Sequence, residues 1–386
     1  MKCVLVVISA LLSIAFPGVL RAEVSDQTLQ TIDSFVRDRQ AQLKVPGVAV
    51  AIVHRDEIVF AKGFGTVGPS GEFVSPTSSF QIGSITKPIT AVAVMQLVDE
   101  GAVGLDDPVT KYIPTFRTRQ IEGSNKITIR HLLAHRSGIS MLVGNRNQRG
   151  GGVDQNAIAR AVTDISRYSL VSEPGEKFQY SNANYQILSR IIEVVDGVSF
   201  ETAISTRIFS RLGMTDSYVG RRSNNITPVI GHRYWLTKVV PTRFIAGREV
   251  VGQGGVVTSA RDLATFMIEF IADGGDLVSR ESARLMTTPY SLEEDYGYAL
   301  GWETKGLDND KLVFHSGANV GFSAFAGFSP SRQTGFVVLT NANFGFVTGN
   351  VESLTRGVAA ILFDQDPPPA ALPKLNLLSF SVLVVV

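Results

Sequence analysis

The chain has 386 residues, 44% of them hydrophobic, with 36 glycines and with 36 Lys and Arg set against 35 Asp and Glu. That length buries a large core without a disulfide or structural metal, the apolar content excludes a disordered chain, and the balanced charge disfavours a nucleic-acid partner. Cys3 is the sole cysteine, which excludes a disulfide framework, a cysteine-based metal site and a cysteine nucleophile beyond the extreme N-terminus.

The first residues, Met1-Lys2, an apolar run from Cys3 to Phe16, then Pro17-Gly18 and Val19 to Ala22, read as a signal peptide over residues 1–22. A secreted or periplasmic location is therefore expected; a buried strand or helix is the competing reading. From Ser25 to about Val45, apolar residues at Leu29, Ile32, Val36 and Leu43 predict a helix capped by Ser25. Val48 to Val53 and Ile58 to Phe60 flank a polar tip at Arg55-Asp56-Glu57 and predict a β-hairpin. A long apolar helix follows from Ile85 to near Gly101. The middle, to about residue 250, mixes helices with glycine-rich loops such as Gly150 to Val153. Leu312 to Phe314, Phe322 to Phe328 and Gly335 to Asn341 predict successive strands, and about Asn350 to Phe363 a final helix.

Strand signals thus bracket a more helical middle. The expected fold class is α/β of the α+β kind. One unit spans residues 23–366, with a sheet built from about 23–83 and 250–366 and a mainly helical insert over about 84–250. Residues 367–386 form a proline-rich linker and a short apolar tail. The tail's last residues, 375–386, would reach about 18 Å as a helix, short of the roughly 30 Å of a bilayer core. Docking on the body, contact with a membrane surface, or the stub of a longer membrane helix all remain open for it.

Some motifs point elsewhere and fail on their surroundings. Gly63 to Gly68 matches G-x-G-x-x-G after a strand, but Pro69-Ser70-Gly71 follows where the dinucleotide fingerprint needs a helix. His131 and His135 have helical metal-ligand spacing, yet no acid lies between them and no third ligand is evident. Packing or capping is the better expectation. Asn225-Ile226-Thr227 is a glycosylation sequon, meaningful only in a host that glycosylates exported proteins. No serine lies in a G-x-S-x-G elbow, which argues against an α/β-hydrolase.

The chemistry concentrates on Ser84-Ile85-Thr86-Lys87 at the opening of the apolar helix. Spacing of three puts hydroxyl and amine on one helix face. A buried lysine loses its proton readily and can activate the serine, and the helix N-terminus offers N–H to an oxyanion. Alone the pattern is weak, since a capping serine beside an exposed lysine would produce it. Two further motifs strengthen it: Tyr180-Ser181-Asn182, and His315-Ser316-Gly317 at the end of a predicted strand. Lys87 alone among the lysines has serine three before it, and Tyr180 alone among the tyrosines has asparagine two after. His315 alone among the histidines has glycine two after.

In this order the three motifs resemble the serine β-lactamase and penicillin-binding-protein superfamily. The branch they are most similar to holds class C β-lactamases, D-alanyl-D-alanine carboxypeptidases, D-aminopeptidases and related esterases. Phe80 to Gly83, Ile127 to Gly138 and Gly252 to Gly255 are similar too, and the likeness covers about residues 30 to 363. The resemblance implies a β-lactamase/transpeptidase-like fold, with no metal or organic cofactor and a small-molecule or peptide substrate. It implies Ser84 as acylated nucleophile and Lys87 as its activating neighbour. Tyr180 would be the general base, its phenol acidified by nearby cations, with the order of Lys87 and Tyr180 left open. Asn182 would hold Lys87 and the substrate amide, and His315 and Gly317, on an edge strand, would face the substrate. The backbone N–H groups of Ser84 and Ala318 would form the oxyanion hole.

The third motif departs from the lysine usual in β-lactamases and the tryptophan of many esterases, and resembles D,D-peptidase and D-aminopeptidase members. Histidine offers a substrate carboxylate a weaker, pH-dependent charge. The resulting expectation is a secreted serine hydrolase of amide bonds at D-residues. An esterase or β-lactamase on the same site is the alternative, and a non-catalytic penicillin-binding-like scaffold is the reading from another class.

Overall fold

The computed structural model describes residues 24–146, 152–221, 229–235, 238–242, 247–293, 295–307, 310–343 and 351–370. The proposed leader, the sequon at Asn225, the start of the 150–153 loop and the apolar tail lie outside these residues.

Among them an eight-stranded antiparallel sheet organises the molecule. Its strands are β1 (Gly47–His54), β2 (Glu57–Gly65), β3 (Ser291–Glu293), β4 (Tyr296–Tyr298), β5 (Glu303–Leu307), β6 (Asp310–Asn319), β7 (Phe322–Ser329) and β8 (Thr334–Thr340). They lie in the order β2-β1-β8-β7-β6-β5-β4-β3, so β1 from the N-terminal part pairs with β8 from the C-terminal part. The β1–β2 hairpin turns through Arg55, whose φ is 58°. The helices that matter for the site are α1 (Asp26–Leu43), α2 (Thr86–Asp99), α3 (Ile129–Leu133), α4 (Met141–Arg146), α5 (Asn182–Asp196), α6 (Val251–Gly254), α7 (Ala260–Ile271) and α8 (Val351–Leu362). Helix α1 starts at a Ser25 cap, whose side chain accepts from the Thr28 N–H.

Period-two alternation along β1 divides the core. Val48, Val50 and Ile52 face a cluster with Ile32 and Val36 of α1 and Leu354 and Val358 of α8. Ala49, Ala51 and Val53 face the larger cluster, with Leu263, Phe266 and Met267 of α7. Burying each large aliphatic side chain contributes about 1.5–3 kcal/mol, so α1 and α8 are held together on one face of the sheet and α7 on the other. Helix α2 runs through the larger cluster and is buried from Thr86 to Leu97. Lys87 is the only charged residue in that stretch.

The insert is less purely helical than expected. Tyr218–Val219 pairs with Val256–Thr258 in one small sheet, and Gly231–Trp235 pairs with Lys238–Thr242 in another. The glycine pattern at residues 63–68 opens no helix. It ends β2 at Gly65, with φ +72°, and Gly63 runs against the Val74 carbonyl.

Candidate active site

Ser84 lies in a single 3-10 turn, Gly83–Ile85, that feeds directly into α2. Gly83 takes φ +52°, and a Cβ there would stand 2.6 Å from both the backbone N and O of Ala318. This close approach joins the serine turn to β6. Helix N-termini leave their first N–H groups without intrahelical partners, so the Ser84 N–H belongs to a group suited to an anion.

Strand β6 is not an edge strand as a whole, because β5 and β7 flank it. The edge is local. Pairing with β5 runs only from Asp310 to Phe314, whereas pairing with β7 continues to Asn319. The stretch His315 to Asn319 therefore leaves one backbone edge unpaired by strand. The Ser316 N–H points to that side, 3.4 Å from Glu303 Oε1. Backbone direction repeats every second residue, so the Ala318 N–H faces the same side, beside Gly83.

Lys87 donates to Ser84 Oγ at 3.0 Å and to the Gln253 carbonyl, in α6, at 3.0 Å. Its side chain is fully buried, and burial pulls the amine down to about 7, against a smaller opposing pull from the Glu303 charge. The Tyr180 hydroxyl donates to the same Ser84 Oγ at 3.0 Å. Burial pushes the Tyr180 phenol above its ordinary value, although the Ser84 hydrogen bond opposes this. The expected acidification by neighbouring cations is not seen: desolvation dominates and the Glu303 charge pushes the phenol in the same upward direction.

Tyr180 precedes α5 in a loop held by His135. The His135 carbonyl accepts from the Gln179 N–H at 2.7 Å, and its Nδ1 accepts from the Ser181 N–H at 3.2 Å. Asn184 Nδ2 lies 3.1 Å from the same Nδ1, and the His135 ring lies 4.3 Å from that of Tyr180. Burial keeps His135 neutral, so Nε2 carries its proton. His131 does a different job. Its Nδ1 accepts from the Thr128 N–H in a capping box that opens α3. The two histidines are therefore occupied separately.

Asn182 does not hold Lys87 as expected. Its Nδ2 donates to Asn145 Oδ1 of α4 at 2.9 Å, while its buried Oδ1 has no hydrogen-bond partner among the described residues. Lys87 is held by Gln253 instead. His315 is buried, with Nδ1 2.7 Å from the Ser316 carbonyl and Nε2 3.2 Å from the Tyr298 hydroxyl. Burial lowers its pKa, opposed by Glu303. The ring lies 6.4 Å from that of Tyr180, but its expected pH-dependent charge is suppressed. Gly317 serves close packing, since a Cβ there would meet the Ile82 carbonyl oxygen at 1.9 Å.

These groups open onto a cleft of about 580 Å³ lined by Ser84, Tyr180, Glu303, His315 and Ala318, with Arg356 from α8. Two participants were given no role from sequence. Gln253 lies in the Gly252–Gly255 stretch that the family likeness covered, but it acts through a backbone carbonyl, which leaves no trace in residue type. Glu303 follows Gly301-Trp302 on a short strand, and only the pairing with β6 brings it beside His315. An isolated acid opening a strand was its single faint signal.

The Beta-lactamase family model matches residues 32–359. The chain is 29% identical over 345 residues to Protein flp of Staphylococcus aureus (strain MRSA252), covering 86% of this chain and 67% of that protein. It is 28% identical over 337 residues to the Putative penicillin-binding protein PbpX of Bacillus subtilis (strain 168), covering 86% and 80%. Among solved structures, an octameric penicillin-binding protein homologue from Pyrococcus abyssi aligns with TM-score 0.77 at 30% identity, over 88% of this chain and 78% of that one. D-amino acid amidase from Ochrobactrum anthropi SV3 aligns with TM-score 0.73 at 21% identity, over 88% and 97%, which shows a shared fold.

Proposed function

Starting from a chain that belongs to the Beta-lactamase family, and is therefore a serine hydrolase of β-lactamase and penicillin-binding-protein kind, we propose that it cleaves amide bonds at D-residues through an acyl-enzyme on Ser84. One observation carries the reading: Ser84 Oγ has two proton-handling groups, Lys87 Nζ and Tyr180 OH, each at 3.0 Å. Only one of them is readily uncharged and basic near neutrality, the amine drawn to about 7. Lys87 therefore takes the Ser84 proton as Oγ attacks the carbonyl carbon. The oxyanion forms between the Ser84 and Ala318 N–H groups. Tyr180, its phenol kept protonated by burial, hands its O–H proton to the leaving nitrogen, and the Lys87 ammonium restores it. Water then attacks the ester carbonyl and gives its proton to the same pair, which passes a proton to Ser84 Oγ as the ester C–O bond breaks.

The preference for amides at D-residues rests on the third motif. A neutral histidine with both nitrogens engaged provides no cation for the carboxylate that a β-lactam carries. The leader-like residues 1–22 favour action outside the cytoplasm. The test compares D- and L-amino acid amides, a D-Ala-D-Ala peptide, a p-nitrophenyl ester and a chromogenic cephalosporin on purified protein. The reading expects the D-configured amides to have the highest kcat/KM of the amide substrates. Cephalosporin turnover exceeding all of them, or ester turnover with no amide cleavage, would replace it with the β-lactamase or esterase alternative.

A further inference from the structure

The cleft carries a charge that the three motifs do not account for. Glu303 lies against the unpaired stretch of β6, with its side chain 13% exposed. Its Oε2 accepts from the Tyr296 hydroxyl of β4 at 2.6 Å. Among the described residues its Oε1 has only long contacts, 3.4 Å to Ser316 N and Oγ and 3.5 Å to His315 Nδ1. A carboxylate oxygen has two lone pairs, and these contacts leave Oε1 able to accept a strong donor from the cleft.

The other charges do not cancel it. Arg356 and Glu352 of α8 also line the cleft, 3.6 Å apart with side chains 46% and 69% exposed, so they offset one another in contact with water. The Arg356 guanidinium also lies over the Phe325 ring at 5.1 Å. In the reactive form Lys87 is the uncharged amine, held against Ser84 and Gln253, and both nitrogens of His315 are taken. Among the described residues, the less exposed part of the cleft that Ser84 lines is therefore left with one negative charge, that of Glu303.

We infer that Glu303 is a specificity-determining residue that anchors the free α-ammonium group of an N-terminal D-residue and repels substrates with a carboxylate in its place. A peptide carries its terminal charges within one residue of a terminal scissile bond. An anion beside the nucleophile attracts the ammonium end and disfavours the carboxylate end, so cleavage releases the N-terminal residue. This rests on the amide-hydrolase reading above and narrows it from D-peptides generally to those with an unblocked N-terminus.

The experiment measures kcat/KM for D-phenylalanyl, N-acetyl-D-phenylalanyl and N-succinyl-D-phenylalanyl p-nitroanilides on wild type and Glu303→Gln. The 3-phenylpropionyl p-nitroanilide, which lacks only the amine, is the unblocked neutral control. Wild type should favour the ammonium substrate over the neutral ones by about tenfold or more, with the succinyl substrate slowest. In Glu303→Gln these ratios should collapse towards one. The wild-type ratio to the 3-phenylpropionyl substrate stands without any variant. Turnover with no ammonium preference, or a preference unchanged in Glu303→Gln, overturns the assignment and leaves the hydrolase intact. No cleavage of any anilide, with no fluorophosphonate labelling of Ser84, overturns the hydrolase reading itself.

Discussion

Gly317 of β6 passes so close to Ile82 that a Cβ on it would stand 1.9 Å from the Ile82 carbonyl oxygen. No side chain fits between the strand and the turn that carries Ser84. This contact sets the spacing of the Ser84 and Ala318 N–H groups, the pair proposed to hold the oxyanion. Gly317→Ala should push β6 away from the serine turn and lower kcat by about 100-fold, the cost of roughly 1 Å of misplacement. KM should change much less. Steady-state kinetics on the best amide substrate checks this, and an unchanged kcat would show that the contact does not set the donor geometry.

Lys87 makes opposite predictions for activity and stability. Activity needs the uncharged amine, so kcat/KM should rise with pH up to about 7 and level off above. Glu303 raises the Lys87 pKa, so Glu303→Gln should move this limb to lower pH. For stability, the folded pKa lies below the ordinary lysine value of about 10.4, so the unfolded chain binds more protons between about 7 and 10.4. Stability should therefore climb with pH across that window, by on the order of 4 kcal/mol from this group. Lys87→Met should abolish turnover yet raise Tm by roughly 5 °C at pH 6, an advantage that shrinks towards pH 10. Thermal melts at several pH values test the sign.

Tyr180→Phe keeps the ring that packs 4.3 Å from His135 and removes only the hydroxyl on Ser84. It should lower the rate by about 100- to 10,000-fold, as loss of a general acid–base does. The pH limb near 7 should survive, because Lys87 still titrates. Disappearance of that limb in Tyr180→Phe would assign it to the phenol instead.

His135 supports the tyrosine loop through two acceptor contacts at Nδ1. His135→Ala leaves the Ser181 N–H and Asn184 Nδ2 buried without that acceptor and opens a cavity. It should destabilise the fold by about 2–4 kcal/mol in urea titrations. His131→Ala removes one side of a capping box and should cost about 1 kcal/mol. Equal costs would contradict the division of labour between these histidines.

The elements most legible in the sequence were those with strong periodicity. The hairpin at residues 48–60, the apolar helix after Ser84 and the successive C-terminal strands all announced themselves through alternation or unbroken apolar runs. Ser84, Lys87 and Tyr180 were legible as a group because their spacing is specific, and folding brings them to one oxygen. What spacing could not convey was environment. The charge states of Lys87, Tyr180 and His315 depend on burial, which depends on helices distant in sequence. Asn182 was legible as a motif member but bonds Asn145, a partner 37 residues away. Glu303 was silent because its neighbours come from strand pairing.

The most direct test of the central claim is mass spectrometry of the purified protein after reaction with a fluorophosphonate probe and with benzylpenicillin, followed by peptide mapping. One adduct per chain on the peptide carrying Ser84, absent in Ser84→Ala, is the predicted result. Labelling that persists unchanged in Ser84→Ala, or that maps to another serine, would contradict it.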